Sequence, residues 1–186
     1  APKHHSAMKH TVNVRKEMGI RTLFNLLGPL ANPASAPNQL IGVYDKAWIE
    51  HIAQALKKLH SHQVLVVSAE DGLDEISIAS ATHIAELKNG VVSTYTITPE
   101  QFGLTRANLS ELAIDNAQAS LKLIKSVLNN QVGPALDIVL LNAGAAIYAA
   151  NLSDSLDDGI ATARQVIASG AALNKLDALI RYSVNH

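Results

Sequence analysis

Two adjacent carboxylates are the clearest candidates for metal ligands in this sequence. Asp74 and Glu75 end the acidic stretch Glu70-Asp-Gly-Leu-Asp-Glu75, which follows the apolar run Val64-Leu-Val-Val67. Paired carboxylates in a loop after a buried strand can hold Mg²⁺, which prefers oxygen ligands and keeps waters and substrate phosphates. The alternative is a solvated acidic turn, which such a pattern represents more often when nothing else accompanies it. Asp74 and Glu75 are therefore candidate magnesium ligands.

An arginine on a predicted helix is the candidate for binding an anionic group. His5, Met8, Val12 and Arg15 are separated by three, four and three residues, so they share one mostly apolar helical face. The planar guanidinium of Arg15 suits a carboxylate or a phosphate, and it suits an ion pair within the fold equally well. The residues alone leave both interpretations open.

The segment from Val14 to Pro33 combines features of a binding surface. Two arginines, two glycines and two prolines interrupt an apolar run that could otherwise form one helix. Within this segment, Gly28-Pro29 is the pattern of a helix stop, and a glycine also lets a flat ligand approach the backbone. We interpret the segment as a substrate-binding wall that carries cationic groups.

Composition and charge favour small-molecule partners. The chain has 186 residues, of which 48% are apolar, and this is enough for one domain with a full core. The formal net charge of -1, from 15 basic and 16 acidic residues, provides no field that would hold a nucleic acid or an anionic membrane surface. Motifs for dinucleotides, P-loop nucleotides and serine hydrolases are also missing from the sequence.

The sequence has features of a cytoplasmic protein. It contains no cysteine, which fits a reducing compartment, so the cytoplasm is the expected location. It starts without an initiator methionine or a signal-peptide pattern, so we expect it to be a piece of a longer protein. The most apolar segment, Ala135 to Ala150, includes Asp137 and Asn142 and is too short to cross a bilayer, so we predict a buried helix.

The apolar periodicity predicts a strand-helix-strand unit after two N-terminal helices. The predicted elements are helices over Ser6–Met18 and Leu23–Leu27, a strand over Gln39–Tyr44, a helix over Lys46–Leu59 and a strand over Gln63–Ser68. The wholly apolar run Val64–Val67 within the second strand indicates a parallel pair covered on both faces. In such sheets, ligands collect at the carboxyl ends of the strands, where Asp74 and Glu75 follow.

The remaining pattern predicts a hairpin and then helices. Asn89-Gly90 is a strong hairpin signal between strands predicted over Thr82–Lys88 and Val91–Ile97. Predicted helices follow over Asn116–Asn129, Pro134–Ala150, Leu156–Ser169 and Asn174–Tyr182. The whole pattern predicts an α/β fold with a mixed, mainly parallel sheet flanked by helices.

A series of short motifs runs along the chain in a specific order. The motifs are His5-x-x-Met8-Lys9-His10, Val14-Arg15, Gly19-Ile20-Arg21-Thr22, Phe24-Asn25, Leu27-Gly28-Pro29-Leu30, Asn32-Pro33, Gly72-Leu-Asp-Glu75 and Val139-Leu-Leu-Asn-Ala143. This series resembles the anthranilate phosphoribosyltransferases of tryptophan biosynthesis. The resemblance covers the whole chain and identifies it with the C-terminal part of such an enzyme.

The resemblance implies a glycosyltransferase activity that depends on magnesium. Members of this family join 5-phosphoribosyl diphosphate (PRPP) to the amino group of anthranilate and release pyrophosphate, with Mg²⁺ on the diphosphate. By this resemblance, Asp74 and Glu75 hold the Mg²⁺. The metal charge stabilises the leaving pyrophosphate, so the protein has to position the amine and exclude water.

The same resemblance implies where the acceptor binds. Arg15 would meet the carboxylate of anthranilate. His5, Gly28 and Pro29 would help to line the anthranilate channel. No residue of the chain is a clear candidate for a general base.

The resemblance also implies a domain organisation and an assembly. Residues 36–186 would form a nucleoside phosphorylase/phosphoribosyltransferase-like α/β domain, and residues 1–35 a helical segment that packs on an N-terminal helical domain. The glycine-rich phosphate loop of the family would lie upstream of Ala1. The complete protein would be a homodimer, with no nucleic-acid or membrane partner.

Other functions remain open at this stage. A pyrimidine nucleoside phosphorylase-like enzyme would share the fold. A non-catalytic relative that binds nucleic acid on the same fold would need a basic face. A structural fragment without any ligand is the third alternative.

Overall fold

The computed structural model describes residues 28, 30–32 and 34–184. The chain separates into two units between Pro37 and Asn38, and the second unit contains every strand and helix given below. The helices predicted over residues 6–18 and 23–27 lie outside the described residues. Their prediction therefore stays a prediction.

Four strands form one mixed sheet in the order β1-β2-β3-β4. Their bounds are Asn38–Gly42 for β1, Gln63–Ala69 for β2, Thr82–Lys88 for β3 and Val91–Ile97 for β4. β1 runs parallel to β2, whereas β2 with β3 and β3 with β4 are antiparallel. The predicted strands, the parallel unit and the mixed sheet are confirmed.

The prediction of a mainly parallel sheet is wrong for the described strands, because only one of their three pairs is parallel. Asn89 and Gly90 explain one of the antiparallel pairs. Both have positive φ angles, 52° and 74°, and this geometry turns the chain back within two residues. The loop over residues 70–81 reverses the chain between β2 and β3 and so produces the second antiparallel pair.

Helices cover both faces of the sheet. The helices are α1 over Ile49–Lys58, α2 over Ala117–Leu128, α3 over Pro134–Ala149, α4 over Leu156–Ala168 and α5 over Ala171–Val184. β2 is buried along its whole length, with Leu65 and Val67 in one core cluster with Leu140 of α3. Alternation along the strand turns Val64 and Val66 to the other face, where α1 packs.

Local signals explain where the helices begin. Asn116 caps α2 by accepting a hydrogen bond from the Ala119 N–H (2.9 Å), and Ser155 caps α4 in the same way. A short 3₁₀ turn over Lys46–Trp48 precedes α1. For the five predicted helices from residue 46 onwards, the predicted boundaries agree with the observed ones to within three residues.

The most apolar segment forms the buried helix that the sequence predicts. α3 contains fully buried Leu140 and Leu141 and contacts both the sheet and α4. Glycines allow a close approach of α3 and α4, since a Cβ added to Gly144 would lie 2.7 Å from backbone atoms of Ile160. In the part of the chain that the structure describes, no helix is long and apolar enough to span a membrane.

Candidate active site

The candidate site is the loop over residues 70–81, which leaves β2 at its carboxyl end. β1 and β2 are parallel, so their carboxyl ends meet at the same edge of the sheet. At this edge the backbone of Asp74 passes directly over Gly42, the last residue of β1. A Cβ built on Gly42 would lie 1.5 Å from the carbonyl oxygen of Asp74. A glycine is therefore required here for the loop to close over β1.

The first half of the loop is held by the side chain of Asp71. Its Oδ1 accepts a hydrogen bond from the Leu73 N–H (3.1 Å), and its Oδ2 accepts one from the Ser77 hydroxyl (2.5 Å). The Asp71 N–H donates to the hydroxyl of Ser80 (3.3 Å). Gly72 completes the turn with a φ of +87°, a conformation that glycine adopts without steric cost. Asp71 thus has a structural role within the loop.

The second half of the loop is held by Asn142 of α3. The Ile76 N–H donates to Asn142 Oδ1 (2.9 Å), and Asn142 Nδ2 donates back to the carbonyl of Ile76 (2.8 Å). Nδ2 also donates to the Ile138 carbonyl (3.0 Å). Ile76 is only 2% exposed, so both of its backbone groups need such partners.

The first acidic residue after β2 has a partner as well. Glu70 Oε1 lies 3.3 Å from Nε2 of His83, which is an ion pair when the imidazole is protonated. The other ring nitrogen of His83 lies 3.1 Å from the hydroxyl of Thr96. Glu70 is therefore directed towards the start of β3 and the neighbouring strand.

These contacts distinguish the four acidic residues of the loop. Glu70 and Asp71 have partners, whereas Asp74 and Glu75 are exposed and make no side-chain hydrogen bond or ion pair with any described residue. Their backbone is nevertheless held on both sides, by the turn before them and by Ile76 after them. Two exposed carboxylates on a backbone held at both ends fit a magnesium site, and the same exposure fits a solvated acidic turn.

The donor set of this loop fits Mg²⁺ in its usual binding mode. Magnesium is commonly held by one or two carboxylates together with substrate phosphates and several waters. Asp74 and Glu75 provide such a pair, and they are exposed to solvent and to a ligand. Among the described residues there is no group of three or more histidines, cysteines and carboxylates that could enclose a metal. At Asp74 and Glu75, the ion would be held together with substrate oxygens and waters.

The structure describes only one of the predicted acceptor-binding residues. Gly28 has helical geometry and is exposed. His5, Arg15 and Pro29 lie outside the described residues. The binding roles of all four remain predictions from the resemblance.

The residues that hold the loop in place were not predicted from the sequence. They are Gly42, Asp71 and Asn142. For Asn142 a signal existed, because an amide in an otherwise apolar helix segment needs hydrogen-bond partners. For Gly42 the sequence offers no comparable signal, since its requirement comes from a contact with Asp74, which follows the next strand.

A second buried polar group has a structural role. The carboxylate of Glu86, on β3, is 8% exposed and accepts hydrogen bonds from the hydroxyls of Tyr148 (2.6 Å) and Tyr95 (3.0 Å). Lys88 donates to the Tyr148 oxygen (3.0 Å). Burial, together with the charge of Glu86, raises the pKa of both tyrosines above the ordinary value. This cluster fastens the β3-β4 hairpin to α3.

Comparisons with known proteins relate this chain to one enzyme family. The family model described as "Glycosyl transferase family, a/b domain" matches residues 1–173. The chain is 62% identical over 183 residues to the anthranilate phosphoribosyltransferase of Methylococcus capsulatus, covering 98% of this chain and 54% of that protein.

Solved structures show the same relationship. Anthranilate phosphoribosyltransferase from Thermus thermophilus is similar with a TM-score of 0.87 and 40% identity, covering 96% of this chain and 53% of that one. The Saccharomyces cerevisiae enzyme in complex with PRPP and Mg has a TM-score of 0.82 and 30% identity, covering 93% of this chain and 50% of that one. The chain spans about half the length of the relatives it matches. With the family match running over residues 1–173, the chain belongs to the glycosyl transferase family and contains its α/β domain.

Proposed function

We propose that the protein carrying this chain transfers the phosphoribosyl group of PRPP to anthranilate and releases pyrophosphate, a step of tryptophan biosynthesis. The observation that carries this proposal is the pair Asp74 and Glu75, exposed and without a partner among the described residues, on a loop fastened at the carboxyl edge of β1 and β2. The 62% identity to the anthranilate phosphoribosyltransferase of Methylococcus capsulatus supports the choice of substrates.

Asp74 and Glu75 would hold Mg²⁺ and with it the diphosphate of PRPP. Bound there, the metal would supply positive charge to the oxygens of the departing pyrophosphate. The contribution of the protein would be a carboxylate pair on a backbone that the contacts with Gly42 and Asn142 restrict. A site already in place avoids the entropic cost of ordering the loop during binding.

The N-terminal segment would bind the acceptor. Arg15 would pair with the anthranilate carboxylate, while His5, Gly28 and Pro29 line the channel for the ring. The anthranilate nitrogen then bonds to C1 of the ribose as the bond from C1 to the pyrophosphate oxygen breaks, and both electrons of that bond leave with pyrophosphate. The nitrogen gives up a proton, for which we assign no general base. Holding the two reactants in this orientation is the main catalytic task.

We further propose the organisation of the complete protein. Residues 1–35 would belong to a helical domain and residues 36–186 to the α/β domain. The relatives are nearly twice as long as the chain, which leaves room for such a domain. We also propose that the protein is a homodimer and works in the cytoplasm.

The proposal is tested by incubating the intact protein with anthranilate, PRPP and Mg²⁺ and following the loss of anthranilate fluorescence. Consumption of anthranilate should require both PRPP and Mg²⁺ and should produce one pyrophosphate for each anthranilate. Residues 1–186 alone should not consume anthranilate, because the chain spans about half the length of its relatives. Phosphorolysis of uridine or thymidine, without use of PRPP, would instead support a pyrimidine nucleoside phosphorylase.

A further inference from the structure

We infer that Asn142 is a positioning residue for the carboxylates Asp74 and Glu75, although it lies on a different element and forms hydrogen bonds with the backbone of Ile76 instead of with either carboxylate. The inference rests on the proposed function for the identity of the ligand, Mg²⁺ with PRPP. Its structural basis is the pair of hydrogen bonds between the Asn142 amide and the backbone of Ile76.

The amide of Asn142 has a single orientation. Its oxygen faces the Ile76 N–H, and its nitrogen faces two carbonyls, those of Ile76 and Ile138. Rotating the amide by half a turn would place donor against donor and acceptor against acceptor. Both hydrogens of the NH₂ group are in use, so the side chain is held firmly and can hold Ile76 in turn.

The position of Ile76 controls the residue before it. The Ile76 N–H belongs to the peptide unit that links Glu75 to Ile76, so fixing this N–H fixes the plane of that unit. The plane in turn restricts the backbone of Glu75 and the direction in which its side chain leaves the loop. On the other side, the contact of Asp74 with Gly42 restricts the same segment. The segment that carries Asp74 and Glu75 is therefore held at one end by Asn142 and at the other by its contact with Gly42 of β1.

Helix α3 gives this support its rigidity. Asn142 stands between the buried residues Leu141 and Ala145 of a helix that packs on the sheet and on α4. A side chain on a well-packed helix moves little. Residues that orient metal ligands without binding the metal themselves strongly influence metal affinity. Loss of the Asn142 amide should therefore weaken magnesium binding without altering either carboxylate.

A matched control is available in the same helix contact. Gln63 is also buried, and its Nε2 donates to the backbone carbonyl of Tyr148 in α3 (2.9 Å). It lies at the amino end of β2, whereas the loop follows the carboxyl end. Gln63→Leu removes a buried amide contact between β2 and α3, as Asn142→Leu removes one between the loop and α3.

The experiment compares Asn142→Leu, Asn142→Asp and Gln63→Leu in the intact protein. Asn142→Asp has nearly the same shape as the parent side chain, so it changes packing least. It keeps an acceptor for the Ile76 N–H and loses both donated hydrogen bonds. We expect both Asn142 variants to raise the Mg²⁺ concentration for half-maximal activity by about tenfold. The KM for anthranilate should change little, and the amides of residues 74–78 should exchange hydrogen faster. Gln63→Leu should lower the melting temperature and leave the Mg²⁺ dependence unchanged.

Unchanged Mg²⁺ dependence in the folded Asn142 variants would overturn the inference, and the transferase assignment would stand. If the parent protein does not use PRPP, the proposed function fails, and Mn²⁺ binding measured by electron paramagnetic resonance decides the positioning role without turnover. Weaker Mn²⁺ binding in the Asn142 variants than in Gln63→Leu supports that role. Equal binding in all variants, or no binding in the parent, overturns it.

Discussion

The carbonyl oxygen of Asp74 occupies the space that a side chain on Gly42 would need. A Cβ added at Gly42 would lie 1.5 Å from that oxygen and 2.5 Å from the carbonyl carbon. Gly42 ends β1, and Asp74 begins the candidate metal-binding pair. Because Gly42 has no side chain, the loop after β2 can lie directly against the end of β1. Substitutions can test separately the position of this loop, the predicted anthranilate contact of Arg15 and the role of the buried tyrosines.

Gly42→Ala should displace the loop. The new methyl group cannot coexist with the Asp74 carbonyl, so backbone must move, at a cost of about 1–3 kcal/mol in the free energy of unfolding. The KM for PRPP should rise because the carboxylates no longer hold their positions, whereas the KM for anthranilate should change less. Steady-state kinetics combined with urea unfolding check this. Wild-type stability and PRPP affinity in the variant would show that the loop has another position in solution.

Asp74→Asn and Glu75→Gln should each weaken Mg²⁺-dependent use of PRPP, because a neutral amide oxygen is a poorer magnesium ligand than a carboxylate. We expect the Mg²⁺ concentration for half-maximal activity to rise by about tenfold or more. The measurement is a Mg²⁺ titration at several PRPP concentrations.

Glu100→Gln is the control for that titration, since Glu100 is exposed and paired with Arg106 (2.6 Å) on a turn after β4. The hydrogen bond from the Arg106 guanidinium, with smaller contributions from hydrogen bonds of the Glu100 backbone N–H and the Thr98 side chain, lowers the pKa of Glu100 to about 2. This substitution should leave the Mg²⁺ titration as in the parent. A parent-like titration for both loop variants would remove Asp74 and Glu75 from the metal site.

Arg15→Ala should weaken anthranilate binding more than PRPP binding. Truncating one partner of a charge-assisted pair costs roughly 2 kcal/mol or more, which corresponds to about thirtyfold in KM for the acceptor. Arg15→Lys should recover only part of this, because an ammonium cannot form two parallel hydrogen bonds with a carboxylate. If both KM values rise equally in a folded Arg15→Ala variant, the arginine forms a structural ion pair instead.

Alkaline unfolding should depend on Tyr148. Burial, then the hydrogen bond to Glu86, raises the pKa of Tyr148 in the folded protein above the ordinary 10.0. The folded state therefore holds this proton more tightly than the unfolded state does. The corresponding stability is complete below about pH 10 and is lost as the pH rises through the folded pKa. Tyr95 has a raised pKa for the same reasons and contributes with the same sign.

Urea unfolding of wild type and Tyr148→Phe from about pH 8 to pH 11 checks this prediction. At about pH 8 the variant should be less stable by about 1–3 kcal/mol, since Glu86 loses a buried hydrogen-bond donor. Its stability should then fall less steeply above about pH 10 than that of the wild type. Parallel curves for the two proteins would contradict the assignment of the alkaline loss to Tyr148.

Much of the secondary structure could be predicted from the sequence because its causes are local. Asn89-Gly90 adopts the positive φ angles that a two-residue hairpin needs, and Asn116 and Ser155 cap helices with their own side chains. The apolar run of β2 indicated a strand covered on both faces. Such a run does not reveal the direction of the neighbouring strand, which is why the share of parallel pairs was predicted too high.

The sequence alone also determined that Asp74 and Glu75 follow a buried strand, and its motifs suggested a magnesium-binding transferase. Only the tertiary structure decided which carboxylates of the loop other described residues engage, since Glu70 meets His83 on the next strand and Asp71 turns back into the loop. It alone brought Asn142 to Ile76 across 66 positions of the chain. Local backbone preferences act over a few residues, whereas such contacts form only when helix and sheet have packed.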